Sequence, residues 1–144
     1  MGVIENSVEI ARPPLEVFDR CSDLSNELEW TPGSMQAVER LTDGPIGVGT
    51  RYRAVWRQGG ANTVEYTRYE RPTWWEARSD SKAFGIVFTA RVEPAGTGSR
   101  LVVRMDLRPH GVTRLISPIL LRVMQREEVL NLAALKRWME SSGV

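Results

Sequence analysis

The chain is short of the residues that build metal and redox sites. It has one cysteine, Cys21, and one histidine, His110, among 144 residues. A single cysteine permits no intramolecular disulfide. It suits a reducing cytoplasm, with Cys21 expected as a small buried apolar residue. One of each type excludes a Cys/His zinc site, and the carboxylates show no cluster with ligand spacing. Neither a metal nor a cofactor is therefore expected. A Ser-His-Asp arrangement would have to use His110, and nothing recognisable places a nucleophile beside it. A surface or capping role is expected of it instead. An excess of either charge is missing too: 19 Lys and Arg against 18 Asp and Glu leave a net +1. That balance argues against nucleic acid or an anionic membrane as the main partner. No apolar run is both long enough and free enough of charge to span a membrane. The opening MGVIENSVEI does not read as a signal peptide. There is no internal repeat and no low-complexity tract. The length reads as one domain over residues 1–144, large enough for a real core.

What the chain does have is tryptophan, at Trp30, Trp56, Trp74, Trp75 and Trp138. Indoles are bulky and often only partly buried, so this set is suited to lining a cavity. The chain also has one long uninterrupted helical stretch at its end. Ser117 and Pro118 read as its start, Ser as N-cap and Pro at the first helical position. No Gly or Pro follows before Glu140, and Gly143 reads as the stop. Roughly 23 residues of helix span about 35 Å. Leu121, Met124, Glu128, Leu132, Leu135 and Met139 share one face. Ile116, Leu120, Val123, Leu130, Ala134 and Trp138 form a neighbouring stripe. The apolar face is unusually wide, and it is expected to lie on a sheet.

Period-two alternation supplies the sheet. Strands are read over 3–11, 35–41, 48–57, 62–70, 74–79, 84–93 and 100–108. A short helix begins at Pro13 and Pro14, and another covers 23–29 with Asp23 or Ser25 as cap. In the third strand Val48, Thr50, Tyr52, Ala54 and Trp56 face one way, and Arg51, Arg53 and Arg57 the other. With Arg68, those arginines read as a solvated outer face. Residues 58–61 read as a hairpin turn. Gly96 and Gly98 also sit in a hairpin, not in a strand-to-helix phosphate loop. Tight turns between neighbours make the sheet antiparallel, and segregated strands and helices make the class α+β. A seven-stranded sheet of this length curls, and curled around a helix it leaves a cavity between them.

That order and its punctuation resemble the START-like (SRPBCC) superfamily, the helix-grip fold, and within it the polyketide cyclase/dehydrase and lipid-transport group. The resemblance rests on Arg12-Pro13-Pro14-Leu15-Glu16-Val17-Phe18, Trp30-Thr31-Pro32 and Gly47-Val48-Gly49-Thr50-Arg51-Tyr52. It continues in Glu70-Arg71-Pro72, in residues 94–101, in Asn131-Leu132-Ala133-Ala134-Leu135-Lys136 and in Glu140. It implies a seven-stranded curved antiparallel sheet wrapped around the C-terminal helix, with two short helices after the first strand. It implies a pocket between sheet and helix for a lipid, polyketide or aromatic metabolite. It carries over no invariant catalytic set, because only some members of the group are enzymes.

The expected pocket residues are Trp30 at its mouth, Tyr52, Trp56, Tyr66, Trp75 and Phe88 from the sheet, and Leu121 and Met124 from the helix. One of Glu127 and Glu128 must approach the apolar face, and Glu128 is in register with Met124, Leu132 and Leu135. A carboxyl there is desolvated, its pKa rises, and it suits a general acid or base. The leading expectation is binding or transport of a small hydrophobic molecule by a monomer or homodimer in the cytoplasm. A cyclase or dehydratase acting through Glu128 is the alternative, and a protein-interaction module is a third.

Overall fold

The computed structural model describes residues 2–31, 33–57 and 60–141. Strand β1 (Gly2–Ile10) is followed by helix α1 (Pro14–Cys21), a 3-10 turn (Leu24–Asn26) and helix α2 (Glu27–Trp30). Six strands follow: β2 (Met35–Arg40), β3 (Arg51–Trp56), β4 (Gly60–Glu70), β5 (Trp74–Asp80), β6 (Phe84–Ala95) and β7 (Gly98–Pro109). A second 3-10 segment (Gly111–Ile116) leads into helix α3 (Ser117–Ser141), 25 residues long. The sheet has seven antiparallel strands in the order β1-β7-β6-β5-β4-β3-β2. It is the helix-grip arrangement, a meander closed by pairing the first strand with the last. Register shifts between Met35 and Ala37 and between Tyr66 and Arg68 add local twist and help the sheet curl.

Alternation fixes the inner face. Tyr52 and Ala54, Val64 and Tyr66, Trp75 and Ala77, Ala90 and Val92, and Leu101 and Val103 are buried on it. Arg51, Arg53 and Arg68 stand exposed on the other side. Val17 and Phe18 of α1 close one end of the core, Phe18 meeting Trp75 edge-on with centroids 5.1 Å apart. Leu132, Leu135 and Met139 press the second half of α3 onto the sheet. The end of that helix is tied to the chain leaving β1. Arg12 donates from Nε to the Met139 carbonyl (3.1 Å) and from Nη2 to the Glu140 carbonyl (2.8 Å). These are carbonyls left over at a helix C-terminus, where a cation is favourable. The Glu140 carboxylate in turn accepts from the Ala11 N–H and from Lys136, each at 2.8 Å. At the tight β6–β7 turn a Cβ on Gly98 would collide with the Ile10 carbonyl, so only glycine fits.

Several boundaries differ from the sequence reading. Val48 is exposed and precedes β3, because the chain bends at Gly47 to Gly49, where Gly49 has φ 92°. The expected 23–29 helix is split into a 3-10 turn and α2, with the Asp23 carboxylate accepting from the Ser25 N–H at 3.0 Å. Ser117 does not cap forwards: its hydroxyl donates back to the Arg114 carbonyl at 3.0 Å, inside a helical path that already began at Gly111. Of the second expected helix stripe, Ile116, Val123 and Leu130 are exposed. Pro32 of the Trp30-Thr31-Pro32 motif, Gln58 and Gly59 of the expected hairpin turn, and Gly143 at the expected helix stop lie outside the described residues.

Candidate functional site

Between the inner sheet face and α3 lies a cavity of about 200 Å³. Its floor comes from alternate residues of five strands. Trp56 of β3, Tyr66 of β4, Trp75 of β5, Phe84 and Phe88 of β6, and Met105 of β7 all contribute. Its roof is Met124, Glu128, Asn131 and Leu135 of α3, four positions at helical steps on one face. Its side wall is Cys21, Leu24, Glu27 and Trp30, from the short helices after β1. Trp75 lies 6.4 Å from Phe88, centroid to centroid, with the two rings tilted by 47° in the floor.

A few polar groups interrupt this apolar lining. Trp56 donates from Nε1 to Asn62 Oδ1 at 3.0 Å. Ser34 and Asn131 hydrogen-bond across the edge at 3.1 Å, joining the wall to α3. Tyr66 donates its hydroxyl to the Ser22 carbonyl. The indole Nε1 of Trp30 is buried with no partner among the described residues. Burial pushes the Cys21 thiol up to about 12, so it stays protonated and is a poor nucleophile.

The charged groups divide into paired and unpaired. Glu127 is bound to Arg57, and Arg78 lies near Glu76. Glu27 and Glu128 have neither a hydrogen bond nor an ion pair from their carboxyl groups among the described residues. Burial raises Glu27 from 4.5 to about 8, and the charge of Glu128 adds to the rise. Burial alone raises Glu128 from 4.5 to about 7. Glu27 is half-buried and lines the cavity. Enclosure in the cavity wall thus holds both carboxyls above the ordinary carboxylate range, which favours their protonated forms.

Of the residues named from sequence, Trp30, Trp56, Tyr66, Trp75, Phe88, Met124 and Glu128 line this cavity. Tyr52 and Leu121 do not, and both expectations are corrected. Tyr52 is on the inner face but fully buried, 5.6 Å from Tyr66, with its hydroxyl donating to Asp23 Oδ1 at 3.2 Å. The turn after α1 covers the sheet there and leaves no space. Leu121 lies over Gly2 of β1, filling the room that the missing side chain leaves. Between the two glutamates, Glu127 is neutralised by Arg57 and Glu128 is not. Glu27 was missed. Leu24, Glu27 and Trp30 do recur at three-residue steps, but they straddle a 3-10 turn and a four-residue helix, too short a run to establish a face from sequence. His110 is exposed and hydrogen-bonds Asp80 at 2.8 Å, and it is not among the residues that line the cavity. No group of three or more His, Cys, Asp or Glu among the described residues could hold a metal ion.

A curled sheet gripping a long helix over an aromatic, mostly apolar cavity defines a class of ligand-pocket folds. The chain belongs to the polyketide cyclase / dehydrase and lipid transport family, whose model matches residues 1–140. None of the curated proteins compared with it matches. Solved structures do. TTHA0849 from Thermus thermophilus superposes with a TM-score of 0.83 at 18% identity, covering 99% of this chain and 100% of that one. The Zhui aromatase/cyclase from Streptomyces sp. R1128 gives 0.78 at 19% identity, covering 99% and 98%. A START superfamily protein from Mycobacterium smegmatis gives 0.75 at 17% identity, covering 96% and 97%. At these identities the likeness establishes the fold alone.

Proposed function

We propose that this protein binds a small, largely apolar molecule, such as a lipid, polyketide or aromatic metabolite, in the cavity between sheet and α3. The observation that carries the reading is the cavity itself: about 200 Å³, walled by indole, phenyl and aliphatic groups. An engineered apolar cavity of about 150 Å³ already admits benzene, so there is room here for a larger ring system. The few polar groups fit an orienting role, which is how apolar pockets acquire specificity.

A second reading is an acid/base enzyme of the cyclase or dehydratase kind. One observation favours it. Glu27 and Glu128 share the cavity with no cation of their own, and both titrate near neutrality, where a general acid or base works best. Native mass spectrometry of protein purified from its own host identifies the bound molecule. That molecule is then incubated with the wild type and with Glu128→Gln. Recovery unchanged from both supports the carrier. Conversion by the wild type and not by the variant supports the enzyme. Protein that carries no small molecule and binds no apolar probe contradicts both readings.

A further inference from the structure

Helix α3 bears apolar side chains on two sides. One side, from Leu121 to Met139, meets the sheet and the cavity. The other is bare. Val112 and Leu115 of the preceding 3-10 segment are 81% and 83% exposed, and Ile119 and Leu130 of the helix 66% and 63%. Ile116 and Val123 are exposed beside them. Ile119, Val123 and Leu130 recur at helical steps, so they stand in one row on the side away from the sheet. Scattered exposed apolar residues are ordinary, whereas a contiguous row marks a surface that meets something apolar.

The charges along the row are of one sign. Arg114, Arg122, Arg126 and Arg137 are exposed on the same segment, and no Asp or Glu occurs from Gly111 to Arg126. The next two acids are engaged elsewhere: Glu127 is bound to Arg57, and Glu128 lines the cavity. The even overall charge of +1 therefore conceals a basic, apolar strip.

We propose that this outward face of the 3-10 segment and α3 is a docking surface for an anionic lipid membrane. The apolar row enters the boundary between headgroups and acyl chains, and the arginines meet the lipid anions. A second copy of the chain is a poorer occupant. A two-fold contact through this strip would set its arginines against one another with no acid between them. The strip also adjoins the cavity. Its start follows Pro109, which pairs with the cavity residue Phe84, and the opposite side of its helix carries Met124 and Glu128. A docked membrane lies beside that end of the cavity.

The test is co-sedimentation of the full chain with vesicles of phosphatidylcholine alone, or of phosphatidylcholine with about one third phosphatidylserine. Binding to the anionic vesicles should be about tenfold or more tighter at low ionic strength, and should weaken as salt is added. The double variant Leu115→Asp, Ile119→Asp should lose it, and both sites are exposed, so folding is spared. Arg122→Gln with Arg126→Gln should reduce the preference for anionic vesicles. Val48→Asp, at a residue 70% exposed before β3, should bind like the wild type. Absence of binding, equal binding to both vesicle types, or full binding by the double Asp variant would overturn the proposal. So would self-association in sedimentation velocity that the double variant abolishes, since that assigns the strip to a second copy.

Discussion

Glu27 and Glu128 face one cavity from two elements that are far apart in sequence, and their chemistry follows from that enclosure. Both have folded-state pKa values above their ordinary 4.5, at about 8 and about 7. Below pH 4.5 the carboxyls are neutral in folded and unfolded chains alike, and nothing is lost. As pH rises from 4.5, the unfolded chain ionises while the folded one stays protonated, so stability falls. The fall ends once both groups have ionised in the folded state, just above pH 8. Each pKa unit corresponds to about 1.4 kcal/mol. Glu27→Gln should flatten much of this decline, leaving the variant more stable than the wild type at pH 8 and similar to it at pH 5. Urea unfolding at the two pH values checks this, and parallel pH profiles for both proteins would contradict it. Glu128 was legible in the sequence because a long helix gives a firm register. Glu27 was not, because a four-residue helix offers too few turns to establish a face. Tyr52 shows a different limit. Alternation says which side of the sheet a residue faces, but not which neighbour covers it.

At the scale of elements, α3 was legible in its extent and in its inner face, since a three- and four-residue repeat of Leu and Met survives over many turns. The 3-10 segment before it was not, because Gly111-Val112-Thr113-Arg114 has no period that separates it from a loop. The outer apolar row was visible as a wide apolar face but was assigned to packing, because one sequence does not say how many partners a helix has. Leu135 and Leu130 separate the two sides. Leu135→Ala should cost roughly 2–5 kcal/mol, the range for a buried leucine. Leu130→Ala, at an exposed site, should change stability by less than about 0.5 kcal/mol. Denaturant midpoints decide it, and equal losses would contradict the orientation of the helix. Arg12→Ala removes the donors to the Met139 and Glu140 carbonyls and should destabilise by about 1–3 kcal/mol, the scale for stranding hydrogen-bonding groups. An unchanged midpoint would show that the clamp is replaceable by water.

For the whole molecule, the sequence announced the sheet, the helix and their union through strand alternation, turn residues and family punctuation. The cavity followed from the impossibility of a curled sheet touching a straight helix everywhere. Its detailed lining did not, because that depends on where the short helices plug the opening between them. The central claim is that the enclosed space receives an apolar ligand. Met124→Trp should block such a ligand by filling the roof, while Arg53→Ala, exposed on the outer face, should leave binding intact. The most direct measurement uses the five indoles as reporters. Trp30, Trp56 and Trp75 line the cavity, whereas Trp74 lies under Arg68 and Trp138 under Arg20. Titration with 2-naphthol, followed by the indole N–H resonances in nitrogen–proton correlation spectra, should shift the first three saturably. It should leave the other two in place. Saturable shifts at Trp74 or Trp138 with Trp30, Trp56 and Trp75 unmoved would contradict the account.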